Sequence, residues 1–233
     1  MRTRPHSEEA KVRLLVMGLL VGLAVIPAGC QSAGRGLPGL FSGGSVSALS
    51  AQAESPDPDL RREAALALGH RRLKGEQADN VRELLAVLLR QDTEALVRSA
   101  AAVSLGRLGG EPSVPALTAG RADASELVRA DVCRGLGMTG VSSAVAPLVG
   151  LLKQDASVDV RCAAARALGE FTEAEARQAL LEALDAERMA VRTAAHKALI
   201  QSTGAKKVPP HRGAWEKWLT EKPAPQRRRF LFW

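Results

Sequence analysis

The feature that most constrains this chain is a ten-residue pattern that returns five times. Its clearest form is Val160-Arg161-Cys162-Ala163-Ala164-Ala165-Arg166-Ala167-Leu168-Gly169. It recurs from Leu60 to Gly69, Val97 to Gly106, Val128 to Gly137 and Val191 to Ile200. The arginines at 61, 98, 129, 161 and 192 lie 37, 31, 32 and 31 residues apart, and in four copies a glycine follows eight residues after the arginine. A period near 31 residues marks a repeat protein, in which one supersecondary unit is copied along the chain.

Each copy predicts a helix. With the arginine as position zero, apolar or small residues recur at −1, +3, +6 and +7, a spacing that lines one helical face. Asp92, Asp123 and Asp155 stand six residues before their arginines and suit a turn or N-cap, where a carboxylate accepts backbone N–H groups that have no partner inside the helix. The glycine at +8 predicts a left-handed helix stop. Position +6 is always small: Ala67, Ser104, Gly135, Ala167 and Ala198. Since Gly costs a helix about 1 kcal/mol against Ala, close helix contact is the best reason for that position.

A second, more aliphatic segment follows most copies: Val81 to Leu89, Val114 to Ala119, Val145 to Leu152 and Ala176 to Leu184. The unit is helix, turn, helix, turn. Pro58, Pro112 and Pro115 fall where this unit places helix starts or turns. One such pair cannot bury its apolar face alone, so the pairs must stack into an all-α solenoid.

Asp-x5-Arg-x2-Ala with Leu-Gly closing the helix resembles the short HEAT-like repeat, the kind also found in phycobilin lyases and bacterial scaffold proteins. The resemblance covers residues 55–204 and implies an α-α superhelix, a right-handed solenoid of about five HEAT-like helix pairs. The tetratricopeptide pattern fails because the chain has no Tyr, and the ankyrin Thr-Pro-Leu-His motif is absent. The fifth copy departs from the pattern: Asp185 is seven residues before Arg192, and Ile200 replaces Gly. A terminal repeat is expected to be atypical.

Residues 1–29 read as a secretory signal. Arg2, Arg4, Lys11 and Arg13 precede an apolar run from Leu14 to Ile26, too short for a membrane span of about 20 residues. Ala28-Gly29-Cys30 resembles a bacterial lipobox, with Pro27 where an aliphatic residue is usual. The resemblance implies that Cys30 carries diacylglycerol and palmitate-type acyl chains and becomes the mature N-terminus. Gln31, which is not Asp, implies the outer rather than the inner membrane of the cell envelope. Residues 30–54, rich in Gly, Ser and Ala, read as a flexible linker between that anchor and the solenoid at 55–204.

Residues 205–233 form a basic aromatic tail. Gly213 to Leu219 predicts a short helix whose Trp215 and Trp218, three apart, share a face and cap the last repeat. Arg227, Arg228, Arg229, Phe230, Phe232 and Trp233 follow Pro223 and Pro225. Cations beside aromatic rings suit an anionic membrane surface or a groove on a partner, and a disordered end is the remaining reading.

The formal charge of +7 belongs to the ends of the chain. Residues 55–204 hold 19 basic and 20 acidic side chains, whereas residues 205–233 hold 8 and 2. The repeats are therefore not a basic face for nucleic acid.

Catalytic signals are sparse. His6, His70, His196 and His211 show no ligand or triad spacing, and no phosphate loop or zinc motif is present. Cys133 and Cys162 stand at +4 and +1, inequivalent positions that suit packing better than a metal pair or disulfide. No cofactor is expected. Arg61, Arg98, Arg129, Arg161 and Arg192, with Asp92, Asp123 and Asp155, are expected to form a structural ladder at the turns rather than a binding row.

The function expected is a non-catalytic, membrane-tethered scaffold that binds a protein partner. Arg82, Lys153 and Glu182, polar positions among apolar ones on the second helices, are candidate contacts. The alternative that the resemblance implies is a phycobilin-lyase-like enzyme or subunit gripping a tetrapyrrole or its carrier protein.

Overall fold

A computed structural model of the chain describes residues 44–221. The signal segment with Cys30 and the tail residues Arg227, Arg228, Arg229, Phe230, Phe232 and Trp233 lie outside the described residues. Among those described there are eleven α-helices and no strand, and no helix is long and apolar enough to cross a membrane.

The first helices of the five repeats are α2 (Pro58–Gly69), α4 (Ala95–Leu108), α6 (Glu126–Thr139), α8 (Val158–Leu168) and α10 (Met189–Thr203). The second helices are α3 (Gly75–Gln91), α5 (Val114–Ala119), α7 (Val145–Gln154), α9 (Ala174–Ala183) and α11 (Arg212–Glu221). A further short helix, α1 (Val46–Gln52), precedes them. Successive first helices pack on one another, and each second helix from α3 to α9 touches the first helix of the next repeat. The result is an α-α solenoid.

The repeat positions explain why the stack holds. Leu68, Leu105, Leu136, Leu168 and Leu199, all at +7, are fully buried, as are Ala64, Ala101, Val132, Ala164 and Ala195 at +3. Burying each leucine contributes about 1.5–3 kcal/mol. At −1, Val97, Val128, Val160 and Val191 are buried, but Leu60 is 40% exposed, an end effect of the first repeat.

The +8 glycines are not left-handed helix stops. Gly106 and Gly137 lie inside their helices, Gly69 is the last residue of α2, and Gly169 caps α8 with an ordinary right-handed φ of −62°. Left-handed backbone occurs instead beyond the helix ends, at Gly109, Gly140 and Gly204. What the +8 position needs is room. A Cβ on Gly69 would come within 2.5 Å of Ser104 Cβ, and one on Gly106 within 2.4 Å of Gly135 Cα. One on Gly137 or Gly169 would come within 3.0 Å of Ala167 or Ala198. Each +8 glycine therefore meets the small +6 residue of the next repeat. The two sequence positions are halves of one seam.

The reading of residues 30–54 as flexible linker is corrected at its end. Ser45 caps α1 by accepting the Ala48 N–H at 3.2 Å, Leu49 and Ala53 are buried, and Arg71 donates to the Gly44 carbonyl at 2.7 Å. A helix this short is held by its packing on α2.

At the other end α11 closes the stack. Trp215 is fully buried, edge-on to His196 of α10 and to Trp218, and its indole N–H donates to His196 Nδ1 at 3.1 Å. That bond requires Nδ1 to be unprotonated, and burial lowers the His196 pKa below its usual 6.5. Because the folded value is depressed, protonation favours the unfolded form. The contact is intact above pH 6.5 and weakens as pH falls through the folded value. Acidification from pH 8 to 5 is expected to loosen α11 in the parent chain, seen as a shift in Trp emission, and His196→Gln is expected to flatten that response.

Candidate functional site

The repeated charges meet in one row at the turns before the first helices. Arg61 grips Asp92 with Nε at 2.7 Å and Nη2 at 2.9 Å, while its Nη1 donates to the Ser55 and Pro56 carbonyls. Arg98 holds Asp123 in the same fork at 2.7 and 3.0 Å and donates to the Asp92 and Thr93 carbonyls. Arg129 holds Asp155 at 2.8 and 3.0 Å and donates to the Asp123 and Ala124 carbonyls. Each aspartate also accepts the N–H two residues on, from Glu94, Ser125 or Ser157. One aspartate thus serves two arginines, the preceding one through its carboxylate and its own repeat's through its carbonyl.

These ion pairs are largely shielded, with the carboxylates 4–9% exposed and the arginines 15–16%. Burial alone would raise the aspartate pKa values. Hydrogen bonds from the arginine and the backbone N–H, with the attraction of two flanking guanidinium groups, more than offset it and hold all three low. Since the folded values are depressed, the ladder's stability is present above about pH 4 and is lost as pH falls through them.

The row breaks at its fourth rung. Arg161 Nη1 donates to the Asp155 and Ala156 carbonyls as its predecessors do, but no carboxylate among the described residues receives its Nε or Nη2. The position that should supply one, six residues before Arg192 and three before the next helix, is Ala186. Asp185 is one residue out of register and faces Arg212 at 3.6 Å. Arg192 likewise holds only the Ala186 and Glu187 carbonyls. A ladder running through all five arginines is therefore corrected to three complete rungs and two open forks.

Arg129→Ala is expected to cost about 2 kcal/mol, since it removes charged hydrogen bonds and leaves Asp155 half-satisfied at a partly solvated site. Arg161→Ala should cost less than half as much. Chemical denaturation of the two variants checks this, and equal losses would remove the special role given to the aspartate.

Each of the predicted contact residues makes an ion pair within the chain, and Lys153 and Glu182 stay partly exposed. Arg82 pairs with Asp79 of its own helix at 2.7 Å, and Lys153 and Glu182 hold each other at 2.8 Å between α7 and α9. Cys133 and Cys162 are free, buried thiols. Burial raises both, Cys133 to about 12, far from the range of a reactive thiolate. Among the described residues no group of three His, Cys, Asp or Glu side chains is placed to hold a metal ion.

Two features were missed by sequence reasoning. Leu96 and Leu127, each two residues before the ladder arginine of consecutive repeats, are 54% and 45% exposed, and Met189 is 72% exposed at the same end of α10. The second feature is a cavity of about 440 Å³ beside Arg161. The first was available as an apolar residue at −2, adjacent to the buried residue at −1.

A family model described as HEAT repeats matches residues 46–130 and 114–200. The fold is similar to that of Escherichia coli YibA (22% identity, TM-score 0.53), covering 76% of this chain and 63% of that one. It is also similar to the CpcE and CpcF complex of phycocyanin lyase from a Nostoc species (23%, TM-score 0.58, covering 84% and 74%). A designed armadillo repeat protein matches at 21% and TM-score 0.50, covering 77% and 93%. No curated protein matches the chain in sequence.

Proposed function

This chain belongs to the HEAT-repeat family, and from that premise we propose that it is a non-catalytic scaffold, anchored in the bacterial envelope through a lipid on Cys30, that binds a protein partner along its solenoid. The observation that carries the reading is the exposed apolar pair Leu96 and Leu127 at one position of consecutive repeats. Large aliphatic side chains half in water at a repeating position favour recognition of another protein, and stacked repeats offer extended surfaces for it. The groups with chemical potential support a binding role. The arginine forks serve the turns, the thiols are buried, and His196 is engaged by Trp215.

The anchor is read from the sequence alone: the basic and apolar leader, the lipobox-like Ala28-Gly29-Cys30, and Gln31, which favours the outer membrane. The basic aromatic tail adds a second membrane contact. Fractionating native cells and identifying the N-terminal peptide by mass spectrometry tests the anchor. A diacylated Cys30 in the membrane fraction is expected, and an unmodified cytosolic chain overturns it. The double variant Leu96→Glu, Leu127→Glu is expected to lose partner capture with an unchanged melting temperature, because neither side chain is in the core. Retained capture overturns the proposed surface.

A further inference from the structure

The fourth rung marks a built but incomplete carboxylate site. In each complete rung an aspartate at the end of a second helix meets a fixed guanidinium. At the second rung the groove beside Asp123, between the ends of α3 and α5, measures about 190 Å³ and is bordered by Leu89 and Arg90. The equivalent groove between α7 and α9 is bordered by Leu152 and Lys153, in the same positions relative to their arginine, and measures about 440 Å³. Ala186 stands where Asp123 stands. The larger opening and the unmatched donors occur together.

Arg161 is already oriented. Its Nη1 is held by two carbonyls, so Nε and Nη2 present the same two-pronged edge that binds aspartate in three other rungs. The surrounding charges leave a net positive site: Lys153 is neutralised by Glu182, and Arg188 balances Glu187, so Arg161 remains. Planar bidentate geometry selects a carboxylate over a neutral amide. The site is also preorganised, so little side-chain freedom is lost on binding.

We propose that the cavity at Arg161 receives an aspartate side chain from an extended segment of a partner protein, which supplies the rung that Ala186 omits. The chain's own rungs give the motif. Asp123-Ala124-Ser125 and Asp155-Ala156-Ser157 both fold the carboxylate back onto the serine N–H while it binds arginine, and a partner segment of the form Asp-x-Ser reproduces that turn. This rests on the scaffold reading given above, since it assigns one of the scaffold's contacts.

The test uses residues 44–221 within the full chain, labelled with ¹⁵N, and follows the arginine Nε–H signals as acetyl-Ala-Asp-Ala-Ser-amide is added. A saturable shift of the Arg161 signal is expected, with acetyl-Ala-Asn-Ala-Ser-amide binding at least about tenfold more weakly. Ala186→Asp should raise the melting temperature and abolish the shift, because the rung is then filled from within. Arg161→Gln should abolish binding without that rise, which keeps the test decisive if the first variant folds poorly. Equal binding of the Asn peptide, or unchanged binding to Ala186→Asp, overturns the proposal. Binding only by acetyl-Ala-Ala-Ala-Ser with a free C-terminal carboxylate overturns the assignment to an aspartate side chain. If Ala186→Asp captures the cellular partner as well as the parent chain does, this contact fails while the scaffold reading stands. If the parent chain captures no partner, the scaffold reading itself fails.

Discussion

Gly106→Val is expected to unfold the middle of the stack under conditions where the parent chain is folded. In an isolated helix, replacing glycine normally helps, by up to about 1 kcal/mol for alanine. Here the sign reverses. A Cβ at 106 would lie 2.4 Å from Gly135 Cα and 2.6 Å from its carbonyl oxygen, and backbone cannot step aside as a side-chain tip can. The first helices α4 and α6 must move apart, exposing Leu105 and Leu136 to water. We expect a loss of about 3 kcal/mol or more, the upper end of overpacking costs. Gly150→Ala is the internal control. Its Cβ would meet only Arg121 Nη1, at 3.3 Å, the mobile end of a long side chain. That variant should gain about 0.5–1 kcal/mol. Thermal melts of both distinguish the seam from helix propensity, and two changes of the same sign would refute the seam.

Trp215→Ala should be nearly as severe but confined to one end. Trp215 is the largest fully buried side chain described, and truncating such a residue costs about 3–5 kcal/mol. In a stack where each repeat touches only its neighbours, that loss propagates poorly. Hydrogen exchange is expected to show α11 and the adjoining part of α10 unprotected, with α4 and α6 nearly unchanged. Uniform loss along the chain would mean that the solenoid unfolds as one unit and that the cap controls all of it.

The repeat was legible because three positions carry most of its core. Apolar residues at −1, +3 and +7 are enough to define a helix face, and all but Leu60 are buried in the structure. The +8 glycine was misread because a glycine near the end of a periodic segment has two physical uses, a left-handed stop and a close approach, and one helix does not tell them apart. The pairing of +8 with the small +6 residue of the next copy contains the answer, but only once the stacking register is known. Helix α1 was hidden by composition: its seven residues, Val-Ser-Ala-Leu-Ser-Ala-Gln, offer one buried leucine among small polar neighbours. The Lys153–Glu182 pair spans separate helices, so polarity alone did not show that the two side chains meet.

The open rung shows a different limit. Arginine and aspartate recur with enough regularity to predict a ladder, and Asp185 gives the impression that the fifth copy is merely shifted by one residue. Counting from the helix start instead, Asp92, Asp123 and Asp155 each precede their helix by three residues, and in the fifth copy that place belongs to Ala186. A one-residue change of register redirects the carboxylate toward Arg212 and leaves Arg161 open. Similarity to solved helical repeats establishes the stack, whereas the partner must be found through such local departures.

The most direct measurement is photo-cross-linking in native cells from residues 96, 127 and 187, placed singly, with residue 63 as an exposed position elsewhere on the first helices. A scaffold predicts that the same protein is captured from 96 and 127 and not from 63, with residue 187, on the rim of the Arg161 cavity, reporting whether that partner reaches the open rung. No protein captured from any of the four positions, with a tetrapyrrole bound to the purified chain, would contradict the scaffold and favour a lyase-like role.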